Sequence, residues 1–222
     1  MYSDIACPWS HLAVHRLRST RRRLGLDGRV VLVHRAFPLE LVNRRATPKR
    51  VLDAEIPVAG GLDPGAGWQL WQAPEWEWPV TTLPALEAVR AAELQGPTAA
   101  EELDHRLRRA LFAESRCISL RSVILDVARE CEHVDAAALA SCLDEGGTRR
   151  AVMEDLATAR EHVDGSPHVF LPDGTSAFNP GVRVRWEGEH GRGFPVVEED
   201  DPAVYEGLLR RAADPAGASV AG

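Results

Sequence analysis

The stretch Asp4-Ile5-Ala6-Cys7-Pro8-Trp9-Ser10-His11 places a cysteine immediately before a predicted helix. Proline suits the first position of a helix, because its nitrogen carries no hydrogen that would be left unpaired there. The apolar spacing that follows predicts a helix continuing to about Gly25. Cys7 therefore stands at a helix N-terminus, where free N–H groups and the helix dipole stabilise a thiolate. We predict that the pKa of Cys7 is lowered toward the range of about 3.5–7.5 that reactive thiols show.

Ser10 occupies the position at which a two-cysteine redox site would carry its second thiol. It lies one helical turn from Cys7, so its hydroxyl group is placed to donate a hydrogen bond to the thiolate. The alternative is a polar residue that simply suits the start of a helix. Because a hydroxyl group cannot form a disulfide, the sequence predicts that Cys7 acts as a single nucleophile.

A second motif, Gly165-Ser166-Pro167-His168-Val169-Phe170, lies far downstream and opens a predicted β-hairpin. Together with Cys7-Pro8-Trp9-Ser10, it resembles the DsbA family of thioredoxin-fold thiol oxidoreductases. Within that family, the FrnE-like branch, related to 2-hydroxychromene-2-carboxylate isomerases, is the most similar. The resemblance extends from Tyr2 to about Gly181. The difference is Ser10, since redox-active members mostly carry a cysteine there.

The resemblance implies that the two motifs meet in space. Pro167 is then a cis proline, and Ser166 and Pro167 present backbone groups beside the sulfur of Cys7. Pro8, Trp9 and His11 complete the set of residues that we expect to contact a thiol or disulfide substrate.

The fold class that the resemblance implies is α/β, a thioredoxin-like core with an α-helical insertion. We assign residues 1–42 and 148–214 to the split core, residues 43–147 to the insertion, and residues 215–222 to a flexible tail. In this topology the first strand lies inside the sheet, yet only Met1 to about Ile5 remain to build it, whereas strands usually have about 5–6 residues. We therefore expect the natural chain to begin upstream of Met1.

Local patterns predict the remaining elements. The β-rich run 29–34 predicts a buried strand, and the stretch 38–67, with its prolines and glycines, predicts loops and short turns. Apolar spacing predicts a series of helices between about residues 82 and 162. The alternating run 182–186 predicts a strand with one wet face, and Asp201-Pro202 begins a final helix.

His11, Asp4 and a tryptophan-rich stretch each allow two interpretations. His11 either strengthens the positive field and shuttles protons or is a solvated surface residue, and we favour the second. Asp4 either accepts N–H bonds of the turn or influences proton transfer, and we favour the first. The tryptophans of the stretch 68–78 either pack the insertion onto the core, which we favour, or form an aromatic wall for a planar substrate. Trp9 is expected to pack as a lid over its motif.

The other cysteines give little support to disulfides or metal binding. Cys131 and Cys142 follow helical apolar spacing and are predicted to be buried. Cys117 is a candidate for resolving a mixed disulfide at Cys7, provided that the two Cα atoms lie about 4.4–6.8 Å apart. We predict no metal site, because no spacing of cysteine and histidine is typical of zinc ligands.

Composition and cysteine usage limit the cellular compartment and the classes of partner that we expect. The net charge of −7 argues against nucleic acid as a partner. No apolar run is long enough to span a membrane, and we expect no membrane partner. We recognise no secretory signal after Met1, and the cysteine usage suits a reducing compartment, so we predict a cytoplasmic location.

These observations leave three hypotheses for function. The leading one is a thiol–disulfide oxidoreductase that uses Cys7 alone, with a small thiol such as glutathione or mycothiol as co-substrate and no tightly bound cofactor. Its substrates are small-molecule thiols or disulfides and also protein disulfides. The second is a thiol-dependent isomerase or transferase of the hydroxychromene-carboxylate isomerase or kappa glutathione transferase type, whose members tend to carry serine at the position of Cys7. The third is a binding or chaperone-like module without turnover.

Overall fold

Two β-sheets and a set of helices are seen in the computed structural model, which describes residues 1–214. The predicted tail, 215–222, lies outside the described residues. The strands are β1 (Tyr2–Ser3), β2 (Arg35–Ala36), β3 (His168–Phe170), β4 (Ser176–Phe178), β5 (Val182–Glu187) and β6 (Phe194–Asp200). The helices are α1 (Pro8–Arg23), α2 (Leu39–Val42), α3 (Lys49–Leu62), α4 (Leu83–Glu93), α5 (Pro97–Phe112), α6 (Arg121–Arg129), α7 (Ala136–Glu145), α8 (Gly147–Ala159) and α9 (Val204–Ala213). Within residues 1–214, no helix combines the length and apolar composition that crossing a membrane would require.

The main sheet joins strands from both ends of the chain. Its order is β2-β1-β3-β4, so the short strand β1 lies in the interior. β1 runs parallel to β2 and antiparallel to β3, and β3 forms the predicted hairpin with β4. Because α1 follows β1 directly, this sheet fixes the point at which the helix carrying the Cys7 motif begins.

The predicted buried strand over residues 29–34 is wrong. The chain enters the sheet only at Arg35, and Val31 is 57% exposed. The physical reason is that β1 offers pairing partners over two residues, Tyr2 and Ser3. The run instead begins in a turn, where the N–H groups of Arg29 and Val30 donate to the carbonyl oxygen of Leu26, and its Val33 carbonyl oxygen accepts from the amino group of Met1 at 2.7 Å.

The predicted loop over residues 38–67 is also wrong, because most of it is helical. α3 runs for 14 residues and continues through Pro57. An interior proline removes one helix hydrogen bond and costs about 3 kcal/mol or more. The apolar face formed by Leu52, Ile56 and Ala59 is fully buried, and its packing compensates for that loss.

The helices between α3 and β3 supply most of the hydrophobic core. Helices α4 to α8 form the large cluster, in which Leu103, Leu107 and Leu139 are completely buried. A second cluster lies on the other side of the sheet, between α1, α9 and Val169 of β3. The central sheet is therefore covered by helices on both faces.

The antiparallel pair β5–β6 forms a separate two-stranded sheet. The sequence predicted β5 but not β6. Along β5, buried or half-buried positions alternate with exposed ones, so Val182, Val184 and Trp186 share one face. That face packs toward α3 and the start of α1.

A fully buried arginine connects the helical layer to the sheet. Arg108 of α5 forms a two-bonded ion pair with Asp104, at 2.8 and 3.0 Å. The same guanidinium donates to the carbonyl oxygen of Asp4 at 2.8 Å and to the hydroxyl group of Ser3 at 2.8 Å. Burial alone would raise the pKa of Asp104, but the positive charge of Arg108 holds it below its usual value. The segment just before Cys7 is thus held by a charge in the core.

We expect the substitution Arg108→Met to destabilise the fold strongly. It would leave the buried Asp104 without its guanidinium partner, with only the imidazole of His34 at 3.3 Å, and breaking one partner of a buried ion pair costs about 3–5 kcal/mol. The free energy of unfolding, measured by urea denaturation at pH 7, checks this. The control is Arg150→Ala, which removes an ion pair with Glu154 whose side chains are 83% and 69% exposed. A loss at Arg108 no greater than the control's would contradict the assigned role.

Candidate active site

Cys7 is the residue immediately before α1, as the sequence predicted. Its backbone is extended (φ −87°, ψ 117°), and Pro8 occupies the first turn of the helix. The carbonyl oxygen of Cys7 accepts the first helical hydrogen bond, from the N–H of His11 at 3.0 Å. The thiol therefore lies at the helix N-terminus, but Cys7 is only 4% exposed.

The two predicted motifs meet at Ser166. The thiol of Cys7 donates to the carbonyl oxygen of Ser166 at 3.2 Å, although 159 residues separate them. The hydroxyl oxygens of Ser10 and Ser166 are 2.7 Å apart, and the N–H of Asp4 donates to the Ser166 hydroxyl at 2.9 Å. The Ser166–Pro167 peptide bond is cis. The backbone of this turn is thus presented to the sulfur, as the resemblance implied.

The carboxyl group of Asp4 organises the loop before Cys7. It accepts hydrogen bonds from the N–H groups of Ala6 at 2.8 Å and Leu39 at 2.7 Å, and from the hydroxyl group of Thr82 at 3.2 Å. These bonds match the favoured interpretation of Asp4 as an acceptor for turn N–H groups. Burial raises the pKa of this carboxyl group, and the N–H donors work in the opposite direction.

The prediction of a lowered pKa for Cys7 is wrong. Burial raises the pKa of the thiol above its usual value, and the hydrogen bond with the Ser10 side chain only partly opposes this. The negative charge of Glu55 raises it further. A helix N-terminus contributes typically about 0.3–1 kcal/mol, which is less than one pKa unit of about 1.36 kcal/mol. Full burial shifts a pKa by up to about 3–5 units, so burial outweighs the dipole.

The burial of Cys7 comes from segments distant in the sequence. Cys7 packs in a cluster with Trp9 and Leu12 of its own helix, Ala59 of α3 and Val182 of β5. Neither the helix α3 nor the packing of β5 against the thiol was predicted. The direction of the pKa shift depends on both, so the local motif could not reveal it.

Trp9 is buried beside the thiol, in agreement with the expectation that it packs over its motif. The side chains of Trp9 and of Trp186 on β5 lower the pKa of the Glu55 carboxyl group, whereas burial, the larger effect, raises it to about 7. Glu55 is a functional candidate that sequence reasoning missed. The available signal was a lone acidic residue within the apolar helical spacing of Leu52, Ile56 and Ala59, which becomes visible only once α3 is recognised as a helix.

His11 does not lie on the surface, and both interpretations of it are wrong. Its ring is fully buried, stacked on Phe112 with ring centroids 4.9 Å apart and edge-on to Trp68 at 4.6 Å. Burial, aided by the charge of Arg108, lowers the pKa of His11 to about 3. The imidazole is neutral at physiological pH, so it supplies neither a positive field nor a proton shuttle.

The tryptophan-rich segment mostly packs, as favoured. Trp68, Trp71 and Trp78 lie against the large core cluster, and the indole of Trp68 donates to the carbonyl oxygen of Asp63 at 2.9 Å. Trp76 is exposed. Trp68 also touches the cluster that contains Cys7, so one residue of this segment borders the site.

All four cysteines are free thiols. Cys131 is buried and donates to the carbonyl oxygen of Val127 at 3.4 Å, while Cys142 is half-buried against the large core. Cys117 is half-buried. A role for Cys117 in resolving a mixed disulfide stays a hypothesis.

Comparison with solved structures finds proteins of similar fold. The cytosolic disulfide reductase DsbM from Pseudomonas aeruginosa matches with a TM-score of 0.61, and its structure with GSH matches with 0.62. In both, identity is 16%, and the alignment covers 99% of this chain and 96% of DsbM. A probable DsbA oxidoreductase from Streptomyces coelicolor matches with a TM-score of 0.64 at 18% identity, over 95% of this chain and 87% of that one. No protein-family model and no curated protein sequence matches this chain.

The chain has the DsbA-like thioredoxin fold, of mixed α/β class, that its two motifs predicted. The structural neighbours do not distinguish branches of the family, so the FrnE-like assignment stays a prediction. The same holds for the division of the chain at residues 43 and 147.

We expect the substitution Ser10→Ala to raise the pKa of Cys7 further. The hydroxyl group of Ser10 hydrogen bonds to the sulfur, and a bond to a charged group contributes about 1.5–3 kcal/mol. Loss of this bond corresponds to an upward shift of about 1–2 pH units in the midpoint of Cys7 alkylation by iodoacetamide. The control is Ser19→Ala, on the same helix, whose hydroxyl group donates to the Arg16 carbonyl oxygen. An unchanged or lower midpoint in Ser10→Ala would refute the assigned bond.

Proposed function

We propose that this protein is a cytoplasmic thiol–disulfide oxidoreductase that works through the single thiol of Cys7. The observation that carries the proposal is the contact between the Cys7 sulfur and the carbonyl oxygen of Ser166, next to the cis Ser166–Pro167 bond. The neighbours described as a disulfide reductase and a DsbA oxidoreductase support it through their shared fold. The cytosolic description of DsbM supports the compartment.

The proposed reaction has two thiol–disulfide exchanges. The thiolate of Cys7 attacks one sulfur of a disulfide, so that a mixed disulfide forms on Cys7 and the second sulfur of the substrate leaves as a thiolate. A small thiol then attacks the mixed disulfide and restores the Cys7 thiolate, carrying away the first substrate sulfur as a new disulfide. Ser10 stabilises the thiolate by hydrogen bonding. Its hydroxyl group cannot form a disulfide with Cys7, so Ser10 cannot release the bound partner.

A small thiol is the expected second reactant. DsbM was solved with GSH, which supports glutathione, or mycothiol as its chemical equivalent, as the co-substrate of this chain. The burial of Cys7 requires the segments that cover it to move aside before a disulfide reaches the sulfur. Small disulfides need less displacement than folded proteins, so we place small-molecule disulfides first among substrates and protein disulfides second.

We expect oxidised glutathione to form a mixed disulfide on Cys7. Intact-protein mass spectrometry after mixing, followed by peptide mapping, detects the adduct and its position. The adduct should be absent from Cys7→Ser and retained in the matched variant Cys117→Ser. Tight binding of glutathione without an adduct would instead favour the isomerase or transferase hypothesis, and neither binding nor adduct would favour a module without turnover.

We expect Ser10→Cys to convert the site into a two-thiol one. A second sulfur one helical turn from Cys7 can attack the mixed disulfide, so reduced Ser10→Cys protein freed of all small thiols should reduce an equimolar amount of insulin disulfide several-fold faster than the wild type does. The wild-type protein should be slow unless glutathione is present. Efficient turnover by the wild type in the absence of a small thiol would contradict the single-thiol mechanism and direct attention to Cys117.

A further inference from the structure

A groove in the central sheet lies in line with β1, on the side of Met1. It encloses about 520 Å³ between two stretches of chain, residues 29–33 and residues 169–172, and Met1 also lines it. The first stretch leads into β2 and the second includes the end of β3, so the two stretches flank the path of β1. The groove therefore follows the direction in which β1 would continue beyond Met1.

The floor of the groove is apolar. Leu17 of α1 and Leu209 of α9 line it, and both belong to the core cluster on this side of the sheet. Arg29 is the charged side chain among the lining residues, and it donates to the carbonyl oxygen of Ala213 at 3.1 Å. Val31, on one wall, is exposed. Apolar surface of this extent on a soluble protein marks a place where another segment packs.

The wall formed by residues 29–33 directs backbone groups into the groove. Arg35 donates its N–H to the carbonyl oxygen of Met1 at 2.9 Å, and the nitrogen of Met1 donates to the carbonyl oxygen of Val33 at 2.7 Å. Alternate residues of a strand direct their backbone groups to the same side, so Val31 and Val33 continue this series. Among residues 1–214, none accepts the N–H of Val33 or donates to the carbonyl oxygen of Val31.

The opposite wall shows the same alternation. Leu171, through its N–H at 2.8 Å, and Pro167, through its carbonyl oxygen at 2.9 Å, bond to the residues at the two ends of β4. Hydrogen-bonded positions alternate along an antiparallel ladder, so the residue between those positions, Phe170, directs its N–H and carbonyl oxygen to the side of β1. Both walls of the groove thus present backbone donors and acceptors to the space between them.

The register of β1 determines how a longer strand would pair. Tyr2 lies opposite His168, so the residue directly before Met1 would lie opposite Phe170 and exchange hydrogen bonds with it. The preceding residue would repeat the bonding of Met1, toward the wall of residues 29–33. Its side chain would share the face of the Met1 side chain, which packs against the core cluster below the groove. A chain on this path satisfies the backbone groups of both walls and covers the apolar floor.

An extended polypeptide joined to Met1 is the occupant that these features favour. A lipid or another apolar molecule would cover the floor but leave the backbone groups of both walls without partners. A separate peptide on the same path would end against the nitrogen of Met1, which already takes the place of a ladder N–H through its bond to Val33. The β-rich composition of residues 29–34 has the same explanation, since this run gains a neighbouring strand.

We propose that the groove is the seat of a β-strand formed by residues that precede Met1 in the natural chain, and that β1 is the end of this strand. The strand runs parallel to residues 29–33 and antiparallel to residues 169–172. It carries an apolar side chain at the second position before Met1, above Leu17 and Leu209. The strand has the same place whatever reaction Cys7 performs, so it does not depend on the proposed function.

The first experiment determines where the natural protein begins. Protein purified from its native host is analysed by intact mass spectrometry and by fragmentation of its N-terminal peptide. We expect residues before Met1, with an apolar residue at the second position before it. A natural protein that begins at Met1, or that carries a charged residue at that second position, would overturn the proposal.

The second experiment measures amide hydrogen exchange by NMR in the chain that begins at Met1 and in a chain extended by a short segment with valine at the two positions next to Met1. The N–H groups of Val33 and Phe170 should exchange at least about tenfold more slowly in the extended chain, because they gain acceptors. The Tm should rise by about 5 °C. The matched control carries prolines in place of the two valines, which have no N–H group to donate, and should change neither quantity.

Two further arms test other occupants. The valine segment, added as a free peptide at equimolar concentration, should leave the exchange of Val33 and Phe170 unchanged, and protection equal to that in the fused chain would assign the groove to a strand of a partner protein. A chain that ends at residue 214 should also show unchanged exchange, and faster exchange would assign the groove to residues 215–222. Either assignment, or equal exchange in the valine and proline extensions, overturns the proposal.

Discussion

The guanidinium group of Arg108 holds the chain just before Cys7, and the geometry of the site depends on it. It is fully buried, paired with Asp104, and donates to the carbonyl oxygens of Asp4 and Ile5. Those carbonyls belong to the short turn between the central strand and the helix that carries the thiol. Separating the desolvated guanidinium group from its partners would cost several kcal/mol, so the turn is held in one conformation. With the turn fixed, the N–H of Asp4 meets Ser166 and the sulfur meets the Ser166 carbonyl oxygen.

The helices α3 and α5 help to form the site around Cys7, although they are distant from it in the sequence. α5 supplies the arginine, and α3 supplies one wall of the thiol compartment. β5 covers the thiol with Val182, and Val184 packs against the same cluster. A thiol at a helix start is reactive when water reaches it, but here the helix dipole competes with nearly complete burial. We therefore expect reactivity to depend on how the segments that cover Cys7 respond to a substrate.

The pair Ser10 and Ser166 shows how a site can keep its architecture while it changes its redox chemistry. Their hydroxyl oxygens lie 2.7 Å apart beside the sulfur, and both side chains lower the pKa of Cys7 against the effect of burial. A second thiol at position 10 would offer an internal disulfide, whereas a hydroxyl group offers only hydrogen bonding. With oxygen in place of sulfur at position 10, the protein cannot release the bound partner from the mixed disulfide by itself. We expect a separate small thiol to release it.

Short-range features of this protein were determined by the sequence itself. Cys7-Pro8 marks a helix start because proline suits the first turn of a helix, and Ser166-Pro167 precedes a β-hairpin. The family resemblance that these two motifs carry predicted the fold, the cis bond and the meeting of the motifs. What the tertiary structure decided depends on burial by distant segments. It reversed the expected pKa shift of Cys7, placed His11 inside an aromatic cluster, and made α3 a helix despite Pro57. Burial is a property of neighbours in space, and a local pattern of residues does not encode which segments those neighbours are.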